Sequence, residues 1–370
     1  MTTQLESLKK ISSVVADTGD IDSIQKFSPD DCTTNPSLIY KAVQSKKYDK
    51  LVNEVIANSK SRKFNNPTDQ VDYISDQLAI AFGIELSKIV PGYVSTEVDA
   101  NLSFDTNATF EKAKQIINSY DHAGVPKNRI LIKVAGTWEG IQAVKKLEAE
   151  GISCNCTLIF SLTQAVACAE AGAFLISPFV GRILDWFKSN TSKDYDSSND
   201  PGVESVEKIY NYFKKFNFNT VVMAASFRNK DEIINLAGCD KLTISPALLE
   251  ELNQTPGDLE PKLTSQNASA AELKRINVNE SSFRWHLNEN QMASFKLAEG
   301  IRLFNKDIFC FSNILWRLQR ISQRKSLLIA TFKEINREFF TSLISARSNL
   351  STFLFCSPNF VWNMRVIICR

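Results

Sequence analysis

Histidine is scarce: the chain has two, His122 and His286, among 370 residues. They stand far apart in polar segments, so neither a Ser-His-Asp triad nor a histidine-rich metal site is supported. No G-x-G-x-x-G and no G-x-x-x-x-G-K occurs, which removes the motif support for dinucleotide-fold and P-loop chemistry. The first residues, MTTQLESLKKISS, hold no apolar core, so a secretory signal is not expected and the cytoplasm is the expected compartment. No run reaches the ~18 consecutive apolar residues of a membrane helix. The eight cysteines (32, 154, 156, 168, 239, 310, 356 and 369) are scattered, and in such a chain they read as reduced thiols rather than a disulfide framework. Cys154 and Cys156 share one face of a strand but lack a second ligand pair for zinc. A net charge of +2 singles out no class of partner, and no nucleic-acid motif is present.

What is present is an alternation of short apolar runs with helical patterns. Candidate strands are SVVAD (13–17), DCTTN (31–35), YVSTEVD (93–99), RILIKVA (129–135), ISCNCTLIF (152–160), AFLISPF (173–179), TVVMAAS (220–226) and KLTISP (241–246). Helical spacing recurs over 110–124, 138–151, 161–172 and 202–216. About eight βα repeats over roughly 250 residues match a (β/α)8 barrel, with a doubly wound open sheet as the structural rival. Most runs end in a polar residue: Asp17, Asn35, Glu97, Lys133, Thr157, Ser177, Ser226. In a barrel those ends converge on one face. Residues two apart share a side. Leu131, Lys133 and Ala135 therefore point one way, and Asn155 with Thr157 likewise. Val222, Ala224, Ser226 and Arg228 line up if their strand extends that far.

Lys133 lies inside the apolar run RILIKVAGT. A free lysine, with pKa near 10.4, offers its neutral amine in about one molecule in 2,500 at pH 7. Apolar surroundings disfavour the ammonium. Such an amine condenses with a ketone, and the cationic imine then accepts electrons from a breaking C–C bond. Asp17, Glu97 and Thr157 are the candidates for moving the protons. The other reading is a buried ion pair between Lys133 and Glu97 or Asp17, and polarity alone leaves both open.

The stretches VVADTGD (14–20), TTNPSLI (33–39), STEVDA (95–100), ILIKVAGTWEGI (130–141), ISPFVGRILDW (176–186), DPGVESV (200–206), SFRN (226–229), LAGCD (236–240) and LAEGIR (297–302) resemble the transaldolases, in order and at that family's spacing, from residue 1 to about 305. The resemblance implies a (β/α)8 TIM barrel of the class I aldolase type with neither metal nor organic cofactor. It implies Lys133 as the Schiff-base lysine, Asp17 as the base for retro-aldol cleavage, and Glu97 with Thr157 as holders of the water made and used in imine chemistry. Asn35, Asn155 and Ser177 would hydrogen-bond the three-carbon unit. Arg182, Ser226 and Arg228 would bind phosphate, and Phe179 would shape water access. The implied partners are sugar phosphates: sedoheptulose 7-phosphate as donor and glyceraldehyde 3-phosphate as acceptor, within the non-oxidative pentose phosphate pathway. A homodimer is also implied. Gly136, Ala224 and Cys156 depart from the family pattern, where Ser, Gly and an aliphatic residue are usual; none removes a named functional group. Asp20, Asp99 and Asp185 read as capping or helix-start charges, and Trp138 and Trp186 as packing residues that open helices.

Residues 306–370 depart further. From 308 onward, nine Lys/Arg stand against two Asp/Glu, giving +7 and leaving −5 for residues 1–307. This stretch has no glycine and shows near-helical apolar spacing in 311–344. Three readings compete: an altered or alternatively spliced end, a basic helix for a membrane surface or acidic protein partner, and an electrostatic nucleic-acid contact. An altered end also raises the alternative of an impaired barrel serving as a binding or scaffold protein.

Overall fold

The computed structural model describes residues 2–307 and 334. The tail helices expected over 311–344 lie, residue 334 apart, outside them. Eight parallel strands form a closed ring in chain order: β1 (Ser13–Asp17), β2 (Asp31–Thr33), β3 (Val94–Glu97), β4 (Ile130–Ala135), β5 (Cys154–Ile159), β6 (Leu175–Pro178), β7 (Val221–Ala224) and β8 (Lys241–Ile244). β1 pairs with β8 through Val14↔Leu242 and Val15↔Thr243, which closes the ring and removes the open-sheet rival. All eight candidate strands are present. The expected helices are also present, as Thr106–His122, Trp138–Ala149, Leu162–Glu170 and Pro201–Lys215. Three more helices, Pro36–Gln44, Asp49–Ser59 and Pro67–Ser87, fill the connection from β2 to β3.

Alternation along each strand builds two separate interiors. Outward residues such as Val14, Ile130, Ile132, Val134, Cys154, Cys156 and Leu242 join the helices in the main apolar core. Inward residues Val15, Leu131, Leu175 and Met223 form an apolar layer inside the ring. Below that layer, Lys241 on β8 meets Asp31 on β2 at 2.6 Å and Ser13 on β1 at 3.3 Å. Above it the inward positions turn polar.

β7 departs from the expected phase. Val222 and Ala224 belong to the outer core, whereas Met223 and Ala225 face inward. The strand ends at Ala224, and Ser226 enters the interior through a left-handed backbone, φ 64°. This kink re-aims the chain by one residue, so Val222, Ala224, Ser226 and Arg228 do not share a face. DCTTN is likewise shorter as a strand than expected: it ends at Thr33, and Asn35 caps the next helix. Trp186 sits inside the helix Val180–Asn190 rather than opening it, while Trp138 opens its own.

A second apolar cluster covers the C-terminal mouth. Residues 291–307 are helical, and Ala293, Leu297, Ile301 and Phe304, one turn apart, pack on Leu158, Phe160, Phe179, Ile183 and Ala225. Gly300 makes this approach possible, since a Cβ there would stand 2.6 Å from Leu158 Cδ2. Leu158 itself is left-handed (φ 58°) at an irregularity in the β5–β6 pairing, which turns its side chain toward this helix.

Candidate active site

Register sets the centre of the site. Glu97 on β3 stands opposite Lys133 on β4, and Lys133 opposite Asn155 on β5. Adjacent strands lie about 4.8 Å apart, so the three side chains form one row around the inner wall. Lys133 Nζ is 3.4 Å from Glu97 Oε2 and 3.5 Å from the Thr34 carbonyl oxygen. Both side chains are about 95% removed from solvent, with 6% and 5% exposed. The apolar neighbours of Lys133 in the sequence point away from it into the outer core. Its surroundings are therefore carboxylates, hydroxyls and an amide rather than the apolar cage its sequence context suggests.

Asp17 completes the centre from β1. Its Oδ1 accepts a hydrogen bond from Thr33 Oγ1 at 3.0 Å, and Thr33 Oγ1 lies 2.9 Å from Thr243 Oγ1. Burial pushes the Asp17 carboxyl above its ordinary value, against the opposing pull of Lys133. Glu97 is raised in the same way, again by burial first and despite Lys133. Each is thus a stronger base than a free carboxylate. Asn155 donates from Nδ2 to Ser95 Oγ at 3.2 Å and accepts from Ser177 Oγ at 2.6 Å, which fixes its amide orientation. Asn35 Oδ1 accepts the Leu38 N–H at 2.9 Å as a helix cap.

Two buried polar atoms around this centre have no hydrogen-bond partner among the described residues: Thr157 Oγ1 and Arg182 Nη1. Buried polar groups are nearly always satisfied, so these atoms mark where a reactant or water belongs. Arg182, on the first turn of Val180–Asn190, lies with its guanidinium 5.0 Å from the Phe179 ring and 5.4 Å from the Phe304 ring. Burial, then the nearby charge of Arg228, holds it below its ordinary value. Arg228 reaches Asp185 with Nη2 at 2.7 Å and Nε at 3.1 Å, and Ser226 Oγ with Nη1 at 3.4 Å. Asp185 is therefore the partner of an arginine rather than a helix-start charge.

A cavity of about 60 Å³ joins these groups. Of the candidate residues, Asp17, Asn35, Lys133, Ser177, Phe179, Arg182 and Ser226 line it. Asn155 hydrogen-bonds the lining residue Ser177 without lining the cavity itself, Arg228 is exposed and outside the lining, and Thr157 is buried on β5 beside Lys133's strand. Glu97 opens instead on a neighbouring cavity shared with Asn35, Asp76 and Asp99. Asp99 there pairs with Lys112 at 2.9 Å. Sequence reasoning missed Thr33, Thr243, Met223, Ala225 and Phe304 as lining residues. Thr33 and Thr243 were accessible to it, because each is two residues beyond another inward position, Asp31 or Lys241. Phe304 was not, since it arrives from a helix distant in the chain.

The family model for transaldolase/fructose-6-phosphate aldolase matches residues 14–312. A transaldolase of Cellvibrio japonicus is 55% identical over 316 residues, covering 85% of this chain and 98% of that protein. Transaldolases of Shewanella baltica and Alteromonas mediterranea are each 56% identical, over 83% of this chain and 96% of theirs.

Proposed function

Because the chain belongs to the transaldolase/fructose-6-phosphate aldolase family, and so is a transferase of transaldolase type, we propose that it moves a dihydroxyacetone unit from sedoheptulose 7-phosphate to glyceraldehyde 3-phosphate through an imine on Lys133. The observation that carries this reading is a buried lysine amine, 3.4 Å from a carboxyl, at the C-terminal mouth of a parallel barrel.

The Lys133 amine adds to the donor ketone, and the carbinolamine loses water to give a protonated imine. Glu97, whose Oε2 lies 3.4 Å from the Lys133 amine, and Thr157 hold and protonate that water. Asp17 takes the proton from the hydroxyl on the carbon that leaves. The C–C bond then breaks, its electrons pass into the iminium, and erythrose 4-phosphate departs as an aldehyde. The remaining enamine adds to the aldehyde carbon of glyceraldehyde 3-phosphate, and Asp17 returns its proton to the oxygen that becomes the new hydroxyl. Water returns, fructose 6-phosphate is released and the Lys133 amine is regenerated. Asn35, Asn155 and Ser177 hold the hydroxyls of the three-carbon unit. Arg182, Ser226 and Arg228 take the phosphate, with Arg182 offering a desolvated donor and Phe179 and Phe304 limiting water. The reaction belongs to the non-oxidative pentose phosphate pathway.

Borohydride reduction in the presence of fructose 6-phosphate tests this. A reduced three-carbon adduct on Lys133, absent in Lys133→Ala, is the expected mass; an unmodified Lys133 under saturating sugar phosphate overturns it. Product analysis with and without an aldehyde acceptor separates transfer from release of free dihydroxyacetone.

A further inference from the structure

Behind the phosphate-proposed residues, three segments of the chain converge on one buried carboxyl that the chemistry above does not use. The Val180 N–H donates to the Ala225 carbonyl oxygen at 2.9 Å and the Gly181 N–H to that of Ser226 at 3.1 Å, joining the Arg182 helix to the β7 loop. Gly181 allows this contact: a Cβ there would stand 2.4 Å from Arg228 Cγ and 2.6 Å from the Ser226 carbonyl oxygen. Gly202, at the start of Pro201–Lys215, packs so close to Val180 that a Cβ would meet its carbonyl oxygen at 2.2 Å. Asp200 caps that helix, accepting the Gly202 N–H at 2.7 Å and the Val203 N–H at 3.3 Å.

Glu232 ties these pieces together. It is 1% exposed, lies on the helix Lys230–Asn235, and accepts the Arg228 N–H on Oε2 at 2.7 Å. Its Oε1 is buried without a hydrogen-bond partner among the described residues and faces, with Asp200, a cavity of about 290 Å³. We propose that Glu232 is a positioning residue for the anion site, locking the Ser226–Arg228 loop in the shape that presents Ser226 and Arg228 beside Arg182. This inference rests on the phosphate role given above to those three residues.

The charge environment says how the lock is held. The charged groups around Glu232 are Asp200 and Asp196 from the preceding loop, Lys188 from Val180–Asn190, Asp231 on its own helix, and Arg228 in the loop that it holds. Burial pushes Glu232 up to about 7, the Asp200 carboxyl adds to the rise, and the Arg228 N–H opposes it. Asp200 is itself raised by burial. A proton on Oε1 gives that orphaned oxygen a donor toward the carboxylate side of the cavity. Once the proton is lost, the charged carboxylate accepts the Arg228 N–H more strongly and holds the loop more tightly. The sign follows: the anion site is tightest above about pH 7 and weakens below it.

Sulfate, which keeps one charge state from pH 6 to pH 9, is the probe, with the full-length chain and calorimetric binding. Glu232→Ala is expected to weaken sulfate about tenfold while leaving borohydride trapping of unphosphorylated dihydroxyacetone on Lys133 within about twofold of wild type. Glu232→Gln keeps a neutral acceptor for the Arg228 N–H at every pH, so it is expected to bind sulfate like wild type at pH 6 and to lack the tightening above pH 7. Unchanged or tighter sulfate binding in Glu232→Ala overturns the proposal, as does an equal loss of trapping. A wild-type tightening above pH 7 retained in Glu232→Gln also overturns it, and this arm stands even if the alanine variant does not fold. Wild type that traps no dihydroxyacetone would instead count against the Lys133 chemistry, which the sulfate measurements do not involve.

Discussion

Asn35 performs two tasks with two atoms. Its Oδ1 caps the helix Pro36–Gln44, and its amide nitrogen is left for the cavity it lines. Serine caps as well as asparagine but cannot reach with an amide. Asn35→Ser is therefore expected to keep its stability within about 0.5 kcal/mol yet lose about tenfold in kcat/KM. Asn35→Ala should lose both, with about 1 kcal/mol of stability gone; denaturant titration beside steady-state kinetics separates the two. Asp17 makes a pH prediction. Its folded pKa is raised by burial, so ionising it costs the folded state more than the unfolded chain. That penalty is absent below the unfolded value, near 3.9, and grows as pH rises toward the folded value. Asp17→Asn does not titrate. It should be inactive, melt above wild type at neutral pH, and lose that advantage near pH 3, as melting curves from pH 3 to 8 would reveal.

At the scale of elements, the helical residues 291–307 act as the roof of the site. Phe304 is 3% exposed, lines the cavity, and sits against Arg182. Removing it leaves a void between roof and barrel. Phe304→Ala is expected to cost about 3–5 kcal/mol and to raise KM for sugar phosphates, because Arg182 loses one of the two rings that hold its guanidinium. Unaltered KM in a folded Phe304→Ala protein would show that the roof shelters the site without shaping it. This roof lies within the family-matched region.

Across the whole molecule, stability and chemistry are assigned to opposite ends of one ring. The Asp31–Lys241 pair at the N-terminal end spans β2 and β8 across β1, with side chains 6% and 16% exposed. Breaking a buried pair from one side leaves an unmatched charge, worth about 3–5 kcal/mol. Lys241→Met alone should therefore destabilise strongly. The double variant Asp31→Asn/Lys241→Met should recover much of the loss, and kcat should stay near wild type in every variant that folds. A double-mutant cycle in denaturant with kinetics on each corner checks both halves. Among the described residues, no helix is long and apolar enough to cross a membrane.

Much of this was legible in one dimension. Period-two alternation is a local steric property, so all eight strands, the inward turn of Lys133, and the outward turn of Cys154 and Cys156 could be read residue by residue. The polar strand ends and the family-like motifs likewise marked Asp17, Glu97, Lys133 and Arg182 before any contact was known. Register could not be read that way, because it depends on partners in other strands: only the pairing of β3, β4 and β5 set Glu97, Lys133 and Asn155 in one row and gave Lys133 a polar setting in place of an apolar one. The left-handed turn at Ser226, which shifted β7 by one residue, is held by backbone bonds from Gly181 and by Glu232 behind Arg228. No side chain near Ser226 announces it. Phe304 reached the cavity only because an amphipathic helix needed an apolar surface and the barrel mouth offered one. Local sterics wrote the elements, and packing between distant segments decided which side chains would meet.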